Sequence, residues 1–278
     1  MDDQVTTTYC LIDDFLRATG HRESTRRAVS DAEVLTVAVV AARTYAGNSE
    51  AAWRFLFGHG YMTRRLTRGQ FNRRLHAAAP LAERLFAMLA ETWKATGSEG
   101  AFAVDSMPLP CCDNARIRRS KLFPLAEFGN KLFRGYQSSK NRYFYGIKLH
   151  AVVNEDGYPV EVSITPASAS DTGELKHFDL DLPTGSVVYG DKAYTDYATE
   201  DRLADAGAVT LVADRKKNST RPHPAWQTYI LQVFRKAVET AFGEIAKLLP
   251  RSIHAVTGPG FELKVYLFVL AYSFSGVC

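Results

Sequence analysis

The chain has 278 residues, a net charge of +4, 46% hydrophobic residues and 12% aromatic residues. A chain of this length can bury a sizeable core, and this composition excludes a protein that is mainly disordered. The mild positive charge is compatible with a polyanionic partner but does not require one, because many enzymes that act on small molecules are equally basic.

The first third of the chain predicts helices. Residues Ser30–Glu33 form a capping box before an apolar run, and Thr67–Gln70 form a second cap-like sequence. A stripe of leucines and a tryptophan predicts a further helix over 81–94. Because the Gly- and Ser-containing stretch 96–100 interrupts this pattern, we expect residues 1–96 to form a small all-α domain.

Residues 101–278 have a different pattern, in which strands come before and between helices. Strands are predicted at 101–104, 142–154, 158–165, 186–189 and 209–213, and helices at 171–178, 195–206 and 225–249. Gly157 lies in the turn between two of the strands, which are therefore predicted to form a hairpin. A hairpin followed by strands that alternate with helices predicts a mixed α/β sheet covered by helices on both faces.

Two aspartates come directly after apolar strands. Asp105 follows Ala101–Val104, and Asp191 follows Val187–Gly190. The carboxyl ends of strands are where open α/β sheets place their sites, and two neighbouring carboxylates repel each other unless they share a cation or a proton. The pair therefore predicts a site for a hard divalent cation such as Mg²⁺. The alternative for each aspartate is that it only caps a turn.

A third carboxylate is expected from the helix over 225–249. The apolar stripe of this helix predicts packing on the sheet, and Arg235 and Glu239 lie together beside that stripe. Glu239 can therefore reach a site between helix and sheet, or it can form only a surface pair with Arg235. Glu244 is the competing glutamate, and it is predicted to face solvent because it lies about 140° further round the helix.

Other features exclude several classes of protein. The first residues lack the basic and apolar regions of a signal peptide, and the apolar stretch 265–274 is too short to span a bilayer and predicts a buried helix. The cysteines contain no Cys-x-x-Cys pair and no persuasive disulfide framework; they are Cys10, Cys111, Cys112 and Cys278. Reduced thiols and a cytoplasmic location are therefore expected.

Three sequence blocks closely resemble the motifs of bacterial insertion-sequence transposases of the DDE type. The blocks are Ala-Val-Asp105-Ser106, Val187–Tyr194 around Asp191, and Arg235–Phe242 around Glu239. The carboxylates are separated by 191 − 105 = 86 and 239 − 191 = 48 residues, which resembles family members without an inserted domain before the glutamate. The similarity spans about residues 101–272, and it implies an RNase H-like catalytic domain over 101–278.

The resemblance implies an enzyme that cuts and joins DNA with bound metal. Asp105, Asp191 and Glu239 would be the catalytic residues and would hold two Mg²⁺ ions, which Mn²⁺ can replace, with Asp105 bridging the two. Water would nick the DNA at the terminal inverted repeats of the element, and the freed 3′-hydroxyl would attack target DNA. The implied protein is a homodimer or higher oligomer on DNA, associated with the nucleoid when bound and independent of any membrane.

Two other functions share the same predicted site. One is a nuclease or resolvase on the same fold, which cuts DNA but does not join it. The other is a catalytically inactive DNA-binding derivative, against which the intact set of three carboxylates argues. An α/β enzyme that acts on small molecules is disfavoured, because no Gly-x-Gly-x-x-Gly or Gly-x-Ser-x-Gly motif follows a strand.

Basic residues are clustered where such an enzyme would contact DNA. The segment 115–148 combines arginines and lysines with aromatic residues, which favours phosphate contacts and base stacking, although a solvated loop is the alternative. The N-terminal helices are candidates for a helix-turn-helix-like module that recognises the element ends. The predicted DNA contacts are Arg73, Arg74, Arg116, Arg118, Arg119, Lys148, Lys192, Lys216, Arg235 and Lys247. One branch of the family has a tyrosine and a lysine where this chain has Gln232 and Ala246, so no DNA contact is assigned to those two positions.

Three further polar residues lie near these blocks. His150 shares a strand face with Lys148, and it either lines the site or forms a structural hydrogen bond. Asp171 and Asp196 are predicted to begin helices, where the helix dipole favours a carboxylate, rather than to bind a metal.

Overall fold

The computed structural model of the protein describes residues 2–97, 100–112, 117, 120, 122–123, 132–137, 141–178, 180–206 and 209–277. The chain divides into two compact units, which we call the helical unit (Met1–Leu89 and Glu244–Cys278) and the sheet unit (Ala90–Gly243). The C-terminal segment therefore belongs to the same compact unit as the N-terminal helices.

The helices are α1 (Asp2–Ala18), α2 (Asp31–Thr44), α3 (Ser49–Gly58), α4 (Arg68–Ala77), α5 (Ala79–Thr96), α6 (Asp171–Leu175), α7 (Tyr197–Asp205), α8 (Ala225–Leu248) and α9 (Gly258–Ser273). The strands are β1 (Ala101–Cys112), β2 (Arg134–Gln137), β3 (Arg142–Asn154), β4 (Pro159–Pro166), β5 (Ser186–Gly190) and β6 (Val209–Ala213). A 3₁₀ turn covers Lys192–Tyr194. The predicted N-terminal helical region and mixed α/β sheet are confirmed.

The packing of α2 against α9 forms the core of the helical unit. Helix α2 begins at the predicted capping box, in which the Glu33 N–H donates to Ser30 Oγ at 3.0 Å and the Ser30 N–H donates to Glu33 Oε2 at 2.6 Å. Most residues of both helices are buried, and the two helices pack against each other. This packing confirms the buried helix predicted at 265–274, and the burial of its apolar surface explains why the C-terminal segment joins the N-terminal helices.

The strands form one mixed sheet in the described part of the chain, with the order β2-β3-β1-β5-β6 and with β4 paired to β3. Strand β1 is antiparallel to β3 and parallel to β5, which is in turn parallel to β6. The predicted hairpin is β3–β4, and Gly157 adopts a φ of 85° in its turn. Strand β1 is longer than predicted because it stays paired to β3 as far as Cys112, whereas its pairing with β5 ends at Val104.

The helices of the sheet unit differ from the predictions mainly at their ends. Helix α6 stops at Leu175, three residues before its predicted end, and α7 covers Tyr197–Asp205 of the helix predicted at 195–206. Helix α8 packs on the sheet as predicted, because the Phe234 ring stacks on Tyr189 of β5 with 4.7 Å between ring centroids. Among the described residues, no helix combines the length and the apolar character needed to cross a membrane.

Candidate active site

Three aspartates form a row across three neighbouring parallel strands. In register, the last paired residues of β1, β5 and β6 are Val104, Gly190 and Ala213. The residues that follow them are Asp105, Asp191 and Asp214. Neighbouring strands lie about 4.8 Å apart and equivalent positions face the same side of a sheet. The row therefore brings three carboxylates to one edge of the sheet.

Asp105 and Asp191 are both predicted site residues, and the structure places them side by side. Asp214 is absent from the predicted site, although the same signal marks it. It directly follows the apolar strand Val209–Ala213, and its N–H donates to the Gly190 carbonyl oxygen at 2.9 Å, which continues the β5–β6 pairing. Applied to all strands, the rule that selects the first two aspartates selects this one as well.

Backbone N–H groups hold one oxygen of each aspartate in the row. The Ser106 N–H donates to Asp105 Oδ1 at 2.7 Å. The Ala193 N–H donates to Asp191 Oδ1 at 2.7 Å, so Asp191 also caps the 3₁₀ turn. Asp191 therefore caps a turn, as the alternative interpretation expected. It can still bind a ligand at the site, because a carboxylate has a second oxygen.

Asp171 lies next to this row, although the sequence predicts only a helix-start role for it. It is indeed the first residue of α6. Its Oδ1 also accepts a hydrogen bond from the Ser106 hydroxyl at 2.8 Å and one from Lys148 Nζ at 3.2 Å. Its charge acts on both Asp105 and Asp191. The helix-start interpretation is therefore incomplete, because the chain that connects β4 to α6 returns to the site.

Burial and mutual repulsion change the acidity of the row. Burial raises the pKa of Asp105 to about 7; the charges of Asp191 and Asp171 add to this rise, while the Arg235 guanidinium opposes it. Burial also raises the pKa of Asp191, with repulsion from Asp171 and Asp214 as further contributions. Both groups therefore bear their negative charge at a cost that a bound cation would remove.

The two flanking carboxylates already have basic partners. Lys148 Nζ lies 3.2 Å from Asp171 Oδ1, and Lys192 Nζ lies 3.5 Å from Asp214 Oδ2. The two aspartates that the sequence predicts have no ion-pair partner in the described part of the chain. Their charge is thus left for a ligand, and two adjacent carboxylates of this kind fit a hard divalent cation.

The raised pKa of Asp105 predicts that Asp105→Asn stabilises the metal-free protein at high pH. The folded state keeps a proton between pH 3.8 and about 7 that the unfolded chain has lost, so stability falls as the pH rises through this window. The asparagine has no such titration, and its advantage above pH 7 is at most about 4 kcal/mol. Chemical denaturation in EDTA at about pH 4 and about pH 8 measures the difference. Equal free energies of unfolding for the two proteins at the higher pH would contradict the prediction.

Glu239 lies on α8 one turn after Arg235. Arg235 Nη2 is 3.4 Å from Glu239 Oε1, and Arg235 Nη1 is 4.0 Å from Asp214 Oδ2. The Glu239 side chain is 58% exposed, and in the described ranges its ion pair is with Arg235. Arg235 therefore lies close to Asp214 of the row, whereas Glu239 contacts this arginine and is itself largely exposed.

Glu244 lies in the helical unit, on the last part of α8. Its Oε1 pairs with Lys247 Nζ at 2.5 Å, and its side chain is 45% exposed. The expectation that Glu244 faces solvent more than Glu239 does is wrong, because the exposed fraction of the side chain is 45% for Glu244 and 58% for Glu239.

The predicted DNA contacts of the sheet unit fall into two groups. Lys192 and Lys216 are exposed, and both line a cavity of about 350 Å³ at the start of α7. Lys148 and Arg235 are less exposed and pair with carboxylates, as Lys192 also does with Asp214, so the charges of these three residues are partly neutralised within the protein. The remaining predicted contacts lie outside the described residues; they are Arg116, Arg118 and Arg119.

The two adjacent arginines of α4 have different surroundings. Arg73 is exposed. Arg74 Nη1 donates to the Val29 carbonyl oxygen at 2.9 Å, and its Nη2 donates to Asp31 Oδ1 at 2.5 Å. Arg73 is therefore the member of this pair with a guanidinium available to DNA, while Arg74 joins α4 to the start of α2. Lys247 is 71% exposed and carries its ion pair with Glu244 at the surface.

A second acidic group lies in the helical unit, where His21, Glu23 and Asp31 are close enough together to hold a metal ion. Arg27 Nη1 lies 2.7 Å from Asp31 Oδ2, and Arg74 Nη2 lies 2.5 Å from Asp31 Oδ1. These arginines balance the acidic charge, so the group forms an internal ion-pair network.

Comparisons with known proteins agree with the motif blocks. The model of a family described as transposase DDE domain matches residues 95–254, which is more than half of the chain. A transposase for insertion sequence element IS1106 from Neisseria meningitidis serogroup B is 31% identical over 106 residues, which span 37% of this chain and 36% of that protein. No solved structure matches the chain.

Proposed function

Because the chain belongs to the transposase DDE domain family, we propose that it cuts DNA at the ends of an insertion sequence and joins those ends to target DNA. The observation that supports this most directly is the side-by-side position of Asp105 and Asp191 at the ends of two parallel strands. Glu239 is the proposed third carboxylate, because it lies on the helix that packs on this sheet and pairs with an arginine of the site.

The proposed metal is Mg²⁺, with two ions as the full complement and Mn²⁺ as a substitute. Carboxylate oxygens are the ligands that Mg²⁺ prefers. Repulsion from Asp191 adds to the effect of burial in raising the pKa of Asp105, and a cation between the two carboxylates would relieve this repulsion. When bound, such ions activate the attacking oxygen and stabilise the leaving oxygen of a phosphodiester.

The protein's own groups orient the proposed ligands and receive the DNA. The backbone N–H groups of Ser106 and Ala193 each fix one oxygen of a site aspartate at 2.7 Å. The cavity lined by Lys192 and Lys216 is proposed to hold DNA phosphates, since lysine side chains attract the backbone of any DNA sequence. Positioning of this kind contributes to catalysis because the reacting groups lose little further freedom at the transition state.

We propose that the sheet unit has an RNase H-like fold, a proposal supported by its mixed sheet with the acidic row at the ends of the parallel strands. The helices within residues 1–96 are proposed to recognise the terminal inverted repeats, and the exposed Arg73 on α4 supports this role. The protein would act as a homodimer or higher oligomer on DNA inside the cell.

A DNA end that has been cut in advance and carries a free 3′-hydroxyl tests the joining step separately from the cutting step. With ends taken from the DNA that flanks the coding region, we expect joining of the pre-cut end to a target plasmid and cutting of an intact end, both in Mg²⁺ or Mn²⁺. EDTA is expected to stop both reactions, because the carboxylates act through metal. Cutting without joining would identify a nuclease or resolvase instead. DNA binding with neither reaction would identify an inactive DNA-binding derivative.

A further inference from the structure

A polar cluster beside Asp105 includes buried groups that the three proposed carboxylates do not explain. Its members, which we call the Asp171 cluster, are Ser106, Lys148, His150, Asp171 and Tyr194. We propose that Asp171 is a positioning residue of the metal site, which orients Ser106 against Asp105 and adds negative charge that strengthens the binding of a divalent cation. This inference rests on the proposed function, because it assumes that Asp105 and Asp191 bind the cation.

Ser106 links Asp171 directly to Asp105. The Ser106 N–H donates to Asp105 Oδ1 at 2.7 Å, and the Ser106 hydroxyl donates to Asp171 Oδ1 at 2.8 Å. The strand that carries Ser106 and the helix that carries Asp171 meet here although these two residues are 65 positions apart in the chain. A change at Asp171 therefore reaches Asp105 through a single residue.

Lys148 holds the same oxygen of Asp171. Its Nζ donates to Asp171 Oδ1 at 3.2 Å and to the Ala169 carbonyl oxygen at 2.8 Å. Both charged side chains are mostly buried, with exposed fractions of 17% and 19%. In the described part of the chain, Oδ2 of Asp171 accepts no hydrogen bond. The carboxylate is thus fixed through Oδ1, and its other oxygen remains available to the site.

Two buried polar atoms near Asp171 lack hydrogen-bond partners. The Tyr194 side chain is fully buried, and its hydroxyl forms no hydrogen bond of normal geometry. The charges of Asp171, Asp105 and Asp191 all act on this hydroxyl, which also interacts with the Ser106 side chain, so it lies near the carboxylates of the site. Nδ1 of the buried His150 also lacks a partner and lies 3.8 Å from Asp171 Oδ1. Unpaired buried polar atoms are costly, and a bound ligand such as the water of a hydrated cation would relieve that cost at these two atoms.

The charge of Asp171 reaches both proposed ligands. Burial is the largest cause that raises the pKa of Asp105 and of Asp191, and repulsion from Asp171 is a further cause for both. A carboxylate close enough to repel both ligands also attracts a cation that they share. Asp171→Asn removes this charge but keeps an oxygen that can accept hydrogen bonds from Ser106 and Lys148. The substitution therefore tests the charge with little change of shape.

Binding of Mn²⁺ to the full chain, measured by the electron paramagnetic resonance signal of free Mn²⁺, tests this role without an activity assay. Asp171→Asn is expected to weaken Mn²⁺ binding about tenfold, the range found for groups that support metal ligands. Asp105→Asn, which removes a proposed ligand, is expected to weaken it further. The unfolding temperature of each protein in EDTA shows whether the variant is folded.

Asp196→Asn is the matched control. Asp196 also begins a helix, pairs with a lysine (Lys176, at 2.7 Å) and accepts a hydrogen bond from a hydroxyl (Thr199, at 2.9 Å). Its charge is not among the main causes that shift the pKa of Asp105 or of Asp191. We therefore expect this variant to bind Mn²⁺ with the affinity of the unchanged protein.

Unchanged Mn²⁺ affinity in folded Asp171→Asn, together with weakened binding in Asp105→Asn, would overturn the role of Asp171 and leave the proposed metal site intact. Unchanged affinity in Asp105→Asn would instead count against the proposed function itself. If Asp171→Asn does not fold, Ser106→Ala replaces it, because this variant keeps the N–H contact to Asp105 and loses the hydroxyl that links Ser106 to Asp171 and interacts with Tyr194. Ser106→Ala is expected to weaken Mn²⁺ binding several-fold, and unchanged affinity in that variant would overturn the inference.

Discussion

Replacing Asp105 or Asp191 with Asn is expected to abolish both DNA cutting and DNA joining while DNA binding persists. Each asparagine keeps the size of the side chain but removes one of two adjacent charges that form no ion pair in the described part of the chain. Loss of a metal ligand removes several kcal/mol of transition-state stabilisation, so the rate should fall about a thousandfold or more. Time courses on labelled element ends measure the reactions, and gel-shift titrations measure the binding.

Asp201→Asn serves as the control for these variants. Asp201 lies on α7, and its carboxylate is 56% exposed and pairs with Arg221 at 2.6 Å. Loss of such a surface pair has little effect on stability, so both reactions should continue at the unchanged rate. Unfolding cannot account for inactivity of Asp105→Asn if that variant is also more stable without metal above pH 7. If Asp105→Asn or Asp191→Asn cuts DNA at the unchanged rate, the replaced aspartate is not a catalytic residue.

Glu239→Gln is expected to lose both reactions to a similar degree, again about a thousandfold or more. The glutamine can still accept a hydrogen bond from Arg235, whose guanidinium lies 3.4 Å from Glu239 Oε1. The substitution therefore removes the charge proposed to complete the metal site while keeping the contact that places the side chain. The same cutting and joining assays measure the effect, with circular dichroism to verify that α8 is intact.

Two companion variants decide which carboxylate is the third of the site. Glu244→Gln should react at nearly the unchanged rate, because Glu244 pairs with Lys247 and belongs to the helical unit. Asp214→Asn removes the third member of the acidic row, whose charge is already balanced by Lys192 and Arg235, and we expect only a moderate loss, about tenfold. If Glu239→Gln is fully active and Asp214→Asn is inactive, Asp214 is the third carboxylate of the site in place of Glu239.

Local features of this protein could be predicted from its sequence because neighbouring residues determine them. The capping box at Ser30 and the hairpin turn at Gly157 depend on contacts within a few residues. The strand–aspartate pattern that marks Asp105 and Asp191 depends on short apolar runs, and the same pattern marks Asp214. The resemblance of three ordered blocks to a transposase family is likewise contained in the sequence, and the family comparison confirms it.

Contacts between distant residues were decided only by the tertiary structure. Asp171 reaches Ser106 across 65 positions, and Arg74 reaches Asp31 across 43. No local pattern distinguishes a helix-start aspartate that joins the site from one that does not, or an arginine available to DNA from one held in an ion pair. The sequence by itself thus determined the family, the mixed α/β class and the two adjacent aspartates. The surroundings of those aspartates followed from how β1, β3 and α6 pack, because burial and charge pairing depend on everything that the fold brings near.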